Sequence, residues 1–109
     1  MKENPLSLQR LLIAAAFTLC LISASISYAD GIPELKTDAF ATTIQNAQHP
    51  VLIEFKAKWC PYCKKEQPDI EKLRADRRGT LDVYQVDVDE DPNIASDYDA
   101  HILPTLIIL

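Results

Sequence analysis

Val51-Leu52-Ile53-Glu54-Phe55-Lys56-Ala57-Lys58-Trp59-Cys60-Pro61-Tyr62-Cys63 decides how this chain of 109 residues is read. Val51 to Phe55 is an apolar, β-favouring run that ends just before two cysteines spaced two residues apart. From Lys64 to Arg77 the sequence reads as helix, with Ile70 and Leu73 at an apolar spacing. If Cys60 stands at the N-terminal end of that helix and Cys63 inside it, the two thiols differ. A helix N-terminus carries orphan N–H groups and about half a positive charge. Both favour the Cys60 thiolate, and the thiolate is the nucleophile of disulfide exchange. Cys63, one turn later and expected to be the more buried, would resolve the mixed disulfide. Pro61 suits the first helical turn, where its missing N–H costs nothing.

Zinc sites use the same Cys-x-x-Cys spacing, and a structural zinc site needs four ligands. Outside the N-terminal stretch only His49 and His101 are available, and they form no second ligand pair. Strand, short loop, Cys-x-x-Cys and helix in succession favour a redox pair. A metal-binding module is the alternative; no metal and no other cofactor is expected.

Val51 to Pro68 resembles the active-site segment of the thioredoxin superfamily. The shared features are a strand with an acid at Glu54, then Phe55, Ala57, Trp59, both cysteines, and Pro68 in the next helix. A second block, Val83 to Leu109, is similar to the family's later strand, helix and cis-proline strand, through Asp89, Pro92, Tyr98 and Ile102-Leu103-Pro104-Thr105-Leu106. The spacing from Cys63 to Pro104 is similar too, so the resemblance spans nearly everything from about Leu35 onward. It implies an α/β, thioredoxin-like fold, a central mixed β-sheet flanked by helices. It implies that Glu54 lies beneath the cysteines and moves protons to or from the resolving thiol. It implies a kink at Pro68 and a cis bond before Pro104, in a loop facing Cys60. There the backbone of Leu103 would pair with a substrate strand. Trp59, Pro61, Tyr62, Leu103 and Pro104 would form the docking surface.

The chain departs from the family in places. Pro61-Tyr62 is similar to the dipeptide of glutaredoxins, although the flanks are not. Lys56 stands where thioredoxin has a tryptophan, and Gln85 where it has a lysine near the buried acid. The family also continues with an antiparallel strand and a last helix. The chain is therefore expected to be cut short, with Thr105 to Leu109 an exposed apolar edge and residues 30–109 poorly soluble alone.

The first 29 residues are expected to be a secretory signal peptide. Lys2 and Arg10 give a basic start, Leu11 to Ile22 an apolar core, and Ser27-Tyr28-Ala29 a small-x-small cleavage site. An uncleaved membrane anchor is the alternative, though the clean apolar core is short for a transmembrane helix. A lipoprotein signal fits less well, because Leu19 precedes Cys20. With export Cys20 is lost, and Cys60 and Cys63 remain of three cysteines. One close pair cannot staple distant segments, so catalysis explains it better than stability. A periplasmic or secreted location is oxidising, and a reductant there needs a membrane-bound or exported redox partner.

From residue 30 onward nine Lys/Arg face fifteen Asp/Glu, a net charge of −6. Nucleic acid is not an expected partner. The nearest basic cluster, Lys56, Lys58, Lys64 and Lys65, surrounds the cysteines. It is either a solvated surface or electropositive support for Cys60.

Along the rest of the chain, Thr37 or Asp38 can cap a helix through about Ala47, with Phe40, Ile44 and Ala47 on one face. Glu54 interrupts an apolar strand. It is either an edge residue reaching water or a buried acid with a function. The helix after the cysteines should stop at Gly79, and Pro68 removes one of its hydrogen bonds. Leu81 to Val88 alternates as a strand. Asp87, Asp89, Glu90 and Asp91 read as a solvated strand end and helix start. Asp91-Pro92 opens a helix with Ile94, Ala95 and Tyr98 inward.

The sequence thus predicts a signal peptide over 1–29 and one thioredoxin-like domain over 30–109. The domain is expected to be monomeric and to reduce protein disulfides. Cys60 attacks, Cys63 resolves and Glu54 assists proton transfer. A disulfide oxidant or isomerase is the alternative within the class. A non-catalytic binding or chaperone module is the alternative outside it.

Overall fold

A computed structural model describes residues 31–109. The expected signal peptide, its cleavage site and Cys20 lie outside the described residues. The elements run α1 (Thr37–Asn46), β1 (Val51–Lys56), α2 (Pro61–Asp76), β2 (Asp82–Asp87), α3 (Pro92–Asp97) and β3 (Thr105–Ile108).

The sheet has the order β2-β1-β3, with β1 parallel to β2 and antiparallel to β3. It is therefore mixed. The parallel pair needs a long crossover, which α2 supplies. Before α1, Leu35 donates its N–H to Gln85 and Pro33 accepts from Gln85, so a single parallel bridge at Glu34 extends the sheet beyond β2.

Because β1 is central, both of its faces are buried. Val51, Ile53 and Phe55 point one way, into a core with Val86, Ile94, Ala95 and Ala100. Phe40, Ile44 and Ala47 of the α1 region pack on it, as their spacing predicts. Tyr98 stands between the rings of Phe40 and Phe55, at centroid distances of 5.6 and 6.0 Å. Leu52 points the other way, into a smaller cluster with Ile32, Ile70 and Val83. Glu54 shares that second face by alternation.

Several boundaries differ from expectation. Helix α2 ends at Asp76, one residue before Arg77 and three before Gly79. Arg77 and the turn to Thr80 follow, and Gly79 adopts φ +81°, which glycine tolerates best. Pro68 stays inside α2. Helix α1 begins at Thr37 behind Lys36, and no side chain of its own caps it. Asp91, from the start of α3, does so instead. Its Oδ1 accepts from the Thr37 N–H at 2.9 Å and from Thr37 Oγ1 at 2.7 Å. One orphan donor of α1 is satisfied from 54 residues away. Asp91→Ala is expected to cost about 1–2 kcal/mol of stability, the range for losing a good N-cap. Urea unfolding followed by far-UV circular dichroism checks this; an unchanged midpoint would make the contact incidental.

Candidate functional site

Helix α2 begins at the cysteines. Cys60 is its N-cap, Pro61 occupies the first turn, and Cys60 Sγ accepts the Cys63 N–H at 3.2 Å. Cys60 and Cys63 are joined by a disulfide, with Cα atoms 5.4 Å apart. Both are buried, at 2% and 3% exposure. The expectation that Cys63 is the more buried is therefore corrected for the oxidised form. Ala57 packs with both cysteines, and Val88 and Leu103 close around them. What separates the two sulfurs is position on the helix. Only Cys60 sits where a backbone N–H points at its sulfur, the setting that favours a thiolate.

In the segments that carry the cysteines and the Leu103 contact, several large apolar side chains are exposed. Trp59 is 66% exposed, Tyr62 71% and Ile102 82%, and Pro61 is exposed as well. The Leu103–Pro104 bond is cis, as the resemblance implies. Leu103 is half-buried and touches the cysteine cluster. The structure thus brings together Cys60, Cys63 and Leu103, with Trp59 and Tyr62 flanking the cysteines in sequence.

Glu54 is fully buried on the central strand, so the reading of it as an edge residue in contact with water is overturned. Gln85 lies opposite it in the β1–β2 register. The Gln85 amide nitrogen donates to Glu54 Oε2 at 2.7 Å and to Gln67 Oε1 at 2.7 Å. Glu54 Oε1 has no hydrogen-bond partner among the described residues. Burial raises the Glu54 pKa; the Gln85 hydrogen bond opposes this, Glu66 reinforces it, and Lys56 opposes it.

The folded chain therefore holds this proton more tightly than the unfolded one. The associated stability is complete below the ordinary carboxyl value of 4.5 and is lost as pH rises through the higher folded value. Glu54→Gln replaces the acid with a neutral amide of the same shape. It is expected to raise the thermal midpoint above wild type at pH 7–8 and to leave the two alike near pH 4. A midpoint difference that does not grow with pH would show Glu54 ionised at no cost.

The acidic run at the end of β2 and the start of α3 is solvated in part: Asp89 and Glu90 are exposed, while Asp87 and Asp91 are buried. Asp87 is buried and its Oδ1 accepts the Asp89 N–H at 3.0 Å. Asp89 Oδ2 accepts from Trp59 Nε1 at 2.8 Å, which ties the tryptophan beside Cys60 to the end of β2. Glu90 pairs with Lys36 and with Lys58, the latter at 2.7 Å. These bonds, Lys36 first, hold its carboxyl down to about 2. Lys56 lies 3.4 Å from Glu34. Two lysines of the cluster around the cysteines are thus matched by carboxylates, while Lys64 and Lys65 are exposed on α2.

Glu66 and Gln67 escaped the sequence reading. Cys63, Glu66, Gln67 and Ile70 form an inward stripe at i, i+3, i+4 and i+7. Their polar type at core-facing positions was the available signal. Among the described residues no three His, Cys, Asp or Glu side chains are grouped so as to hold a metal ion.

The thioredoxin family model matches residues 31–109. Thioredoxin M4, chloroplastic, of Arabidopsis thaliana is 35% identical over 77 residues, covering 71% of this chain and 40% of that protein. The thioredoxin of Mycobacterium tuberculosis (strain ATCC 25618 / H37Rv) is 40% identical over 73 residues, 66% of this chain and 63% of that one. That of Staphylococcus aureus (strain N315) is 44% identical over 57 residues, 52% of this chain and 55% of that one. The chain spans less than two thirds of these relatives' lengths. Among solved structures, chloroplastic thioredoxin z, described as defining a type-specific target recognition, superposes with a TM-score of 0.68 at 23% identity. The match covers 72% of this chain and 70% of that one, and is a likeness of fold.

Proposed function

This chain belongs to the thioredoxin family, and on that premise we propose that it is a thiol-disulfide oxidoreductase that reduces protein disulfides. The observation that carries the reading is the Cys60–Cys63 disulfide at the N-terminus of α2, with the Cys63 N–H directed at Cys60 Sγ. In the dithiol form that N–H and the helix end stabilise the Cys60 thiolate. The thiolate attacks one sulfur of a substrate disulfide. The substrate S–S bond breaks, a mixed disulfide forms, and the first substrate thiolate leaves. Cys63 then gives up its proton and attacks Cys60 Sγ. The second substrate thiolate leaves, and two electrons have passed from the dithiol to the substrate.

Glu54 is the group we assign to the Cys63 proton. A carboxyl raised toward the working pH is suited to both accepting and returning it. Exposed Trp59, Pro61 and Tyr62, with Leu103 and Pro104, are assigned to docking an extended substrate segment. The apolar stretch and cleavage pattern of the first 29 residues support action outside the cytoplasm, by a monomer recharged by a membrane-bound or exported dithiol partner.

Titration against glutathione tests the direction. A reduction potential near about −270 mV supports a reductase, and one near about −120 mV assigns an oxidant instead. Absence of any titratable dithiol–disulfide couple would overturn the catalytic reading in favour of a binding module.

A further inference from the structure

Lys56, Lys58, Lys64 and Lys65 bracket the disulfide in sequence, and the structure divides them into two pairs. Lys56 lies 3.4 Å from Glu34, and Lys58 donates to Glu90 at 2.7 Å. Lys64 and Lys65 are exposed and have no carboxylate within ion-pair distance among the described residues. Helical spacing sets Lys64 and Lys65 three and four residues beyond exposed Pro61, and Lys65 three beyond exposed Tyr62. Residues so spaced are neighbours on a helix surface.

Neither charge serves the fold. Positive side chains near a helix N-terminus oppose the helix dipole, and the first turn of α2 holds no acid to offset them. From residue 30 onward the net charge is −6, so this unpaired basic pair runs against the charge of the chain as a whole. The residue before the disulfide meets the opposite sign: Trp59 donates to Asp89 at 2.8 Å.

We infer that Lys64 and Lys65 form a basic rim on the docking surface, which selects protein disulfides carrying Asp or Glu beside one cysteine. This rests on the oxidoreductase reading. An extended segment laid on Pro61 and Tyr62 brings its neighbouring residues to the start of α2. Carboxylates there find unpaired ammonium groups, and lysines there meet like charge. Support of the Cys60 thiolate alone would speed every substrate alike; a selecting rim does not.

The test uses the reduced full chain and disulfide-linked dimers of a short peptide. The peptides differ only in a pair of glutamates or lysines placed just before or just after the cysteine. The rate of thiol release is divided by that with dithiothreitol at the same salt, which removes intrinsic differences among the disulfides. At about 0.1 M salt, where exposed charges beyond about 10 Å are screened, the glutamate peptide of one placement is expected to react about fivefold faster than its lysine counterpart. The preference should vanish at about 1 M salt. It should also vanish in the double variant Lys64→Gln, Lys65→Gln, whose rate on the lysine peptide should rise. No preference, or lysine preferred at both placements as the net charge alone dictates, overturns the inference. So does a preference that the double variant keeps. An equal loss on both peptides in that variant assigns the lysines to Cys60 and overturns it too. Reduction of no peptide overturns the oxidoreductase reading itself, and the inference with it.

Discussion

Cys60→Ser is expected to reduce the turnover of a protein disulfide by at least about a thousandfold, or about 4 kcal/mol of transition-state stabilisation. A serine hydroxyl at the helix N-terminus does not become an anion at neutral pH and cannot replace the thiolate that the Cys63 N–H favours. Cys63→Ser should fail differently. Cys60 still attacks, but nothing within reach displaces it, and the mixed disulfide accumulates. A non-reducing gel would show the Cys63→Ser chain linked to substrate and the Cys60→Ser chain free. The opposite pattern would exchange the roles of the two cysteines. Activity retained by both variants would remove the dithiol from the mechanism altogether. Because both cysteines are buried when oxidised, trapping efficiency also reports how readily a substrate reaches Cys60.

Phe55→Ala is expected to have the largest effect on stability, about 3–5 kcal/mol. Phe55 has no exposed surface and packs against the Tyr98 ring within the larger core. It sits on a strand hydrogen-bonded on both sides, so the backbone cannot move in to fill the space. A small domain has roughly 5–15 kcal/mol in total, so the variant should be largely unfolded at moderate urea concentrations where wild type is not. Chemical unfolding with a common slope checks this. A loss below about 1 kcal/mol would mean the cavity collapses.

The order of elements was legible because β1 is a short apolar run, β2 alternates, α2 and α3 carry apolar residues at helical spacing, and Cys60, Pro61 and Cys63 mark the start of α2. Phe40, Ile44, Ile94 and Tyr98 fell on the faces their spacing assigns. The mixed sheet came from the resemblance; periodicity does not give strand direction. What stayed hidden depends on contacts far apart in sequence. The α1 cap is Asp91 and not a local residue, because α3 carries that carboxylate to Thr37. Asp89 and Glu90 are exposed, as a solvated run should be, but their partners Trp59, Lys36 and Lys58 could not be read from the sequence. Glu54 was ambiguous because edge and centre look alike in one strand, and Glu66 went unnoticed because helix α2 is mostly polar. At the site, the chemistry of Cys60 and Cys63 was evident from their spacing, but the equal burial of the pair was not.

The sheet order has a consequence for how the molecule assembles. β1 is the first strand of the described chain, yet it lies in the middle, between β2 and β3. Its partner Gln85 is 31 residues beyond Glu54, and the residue that caps α1 is 54 residues beyond Thr37. Each of these closures carries a loop entropy that must be met before the contact forms. Neither α1 nor β1 is completed by its near neighbours. A chain emerging from its N-terminal end therefore holds its central, largely apolar strand unpaired until α2 and β2 have followed. Folding here is a late event that proceeds largely at once, and its rate is governed by long-range closure more than by local helix formation.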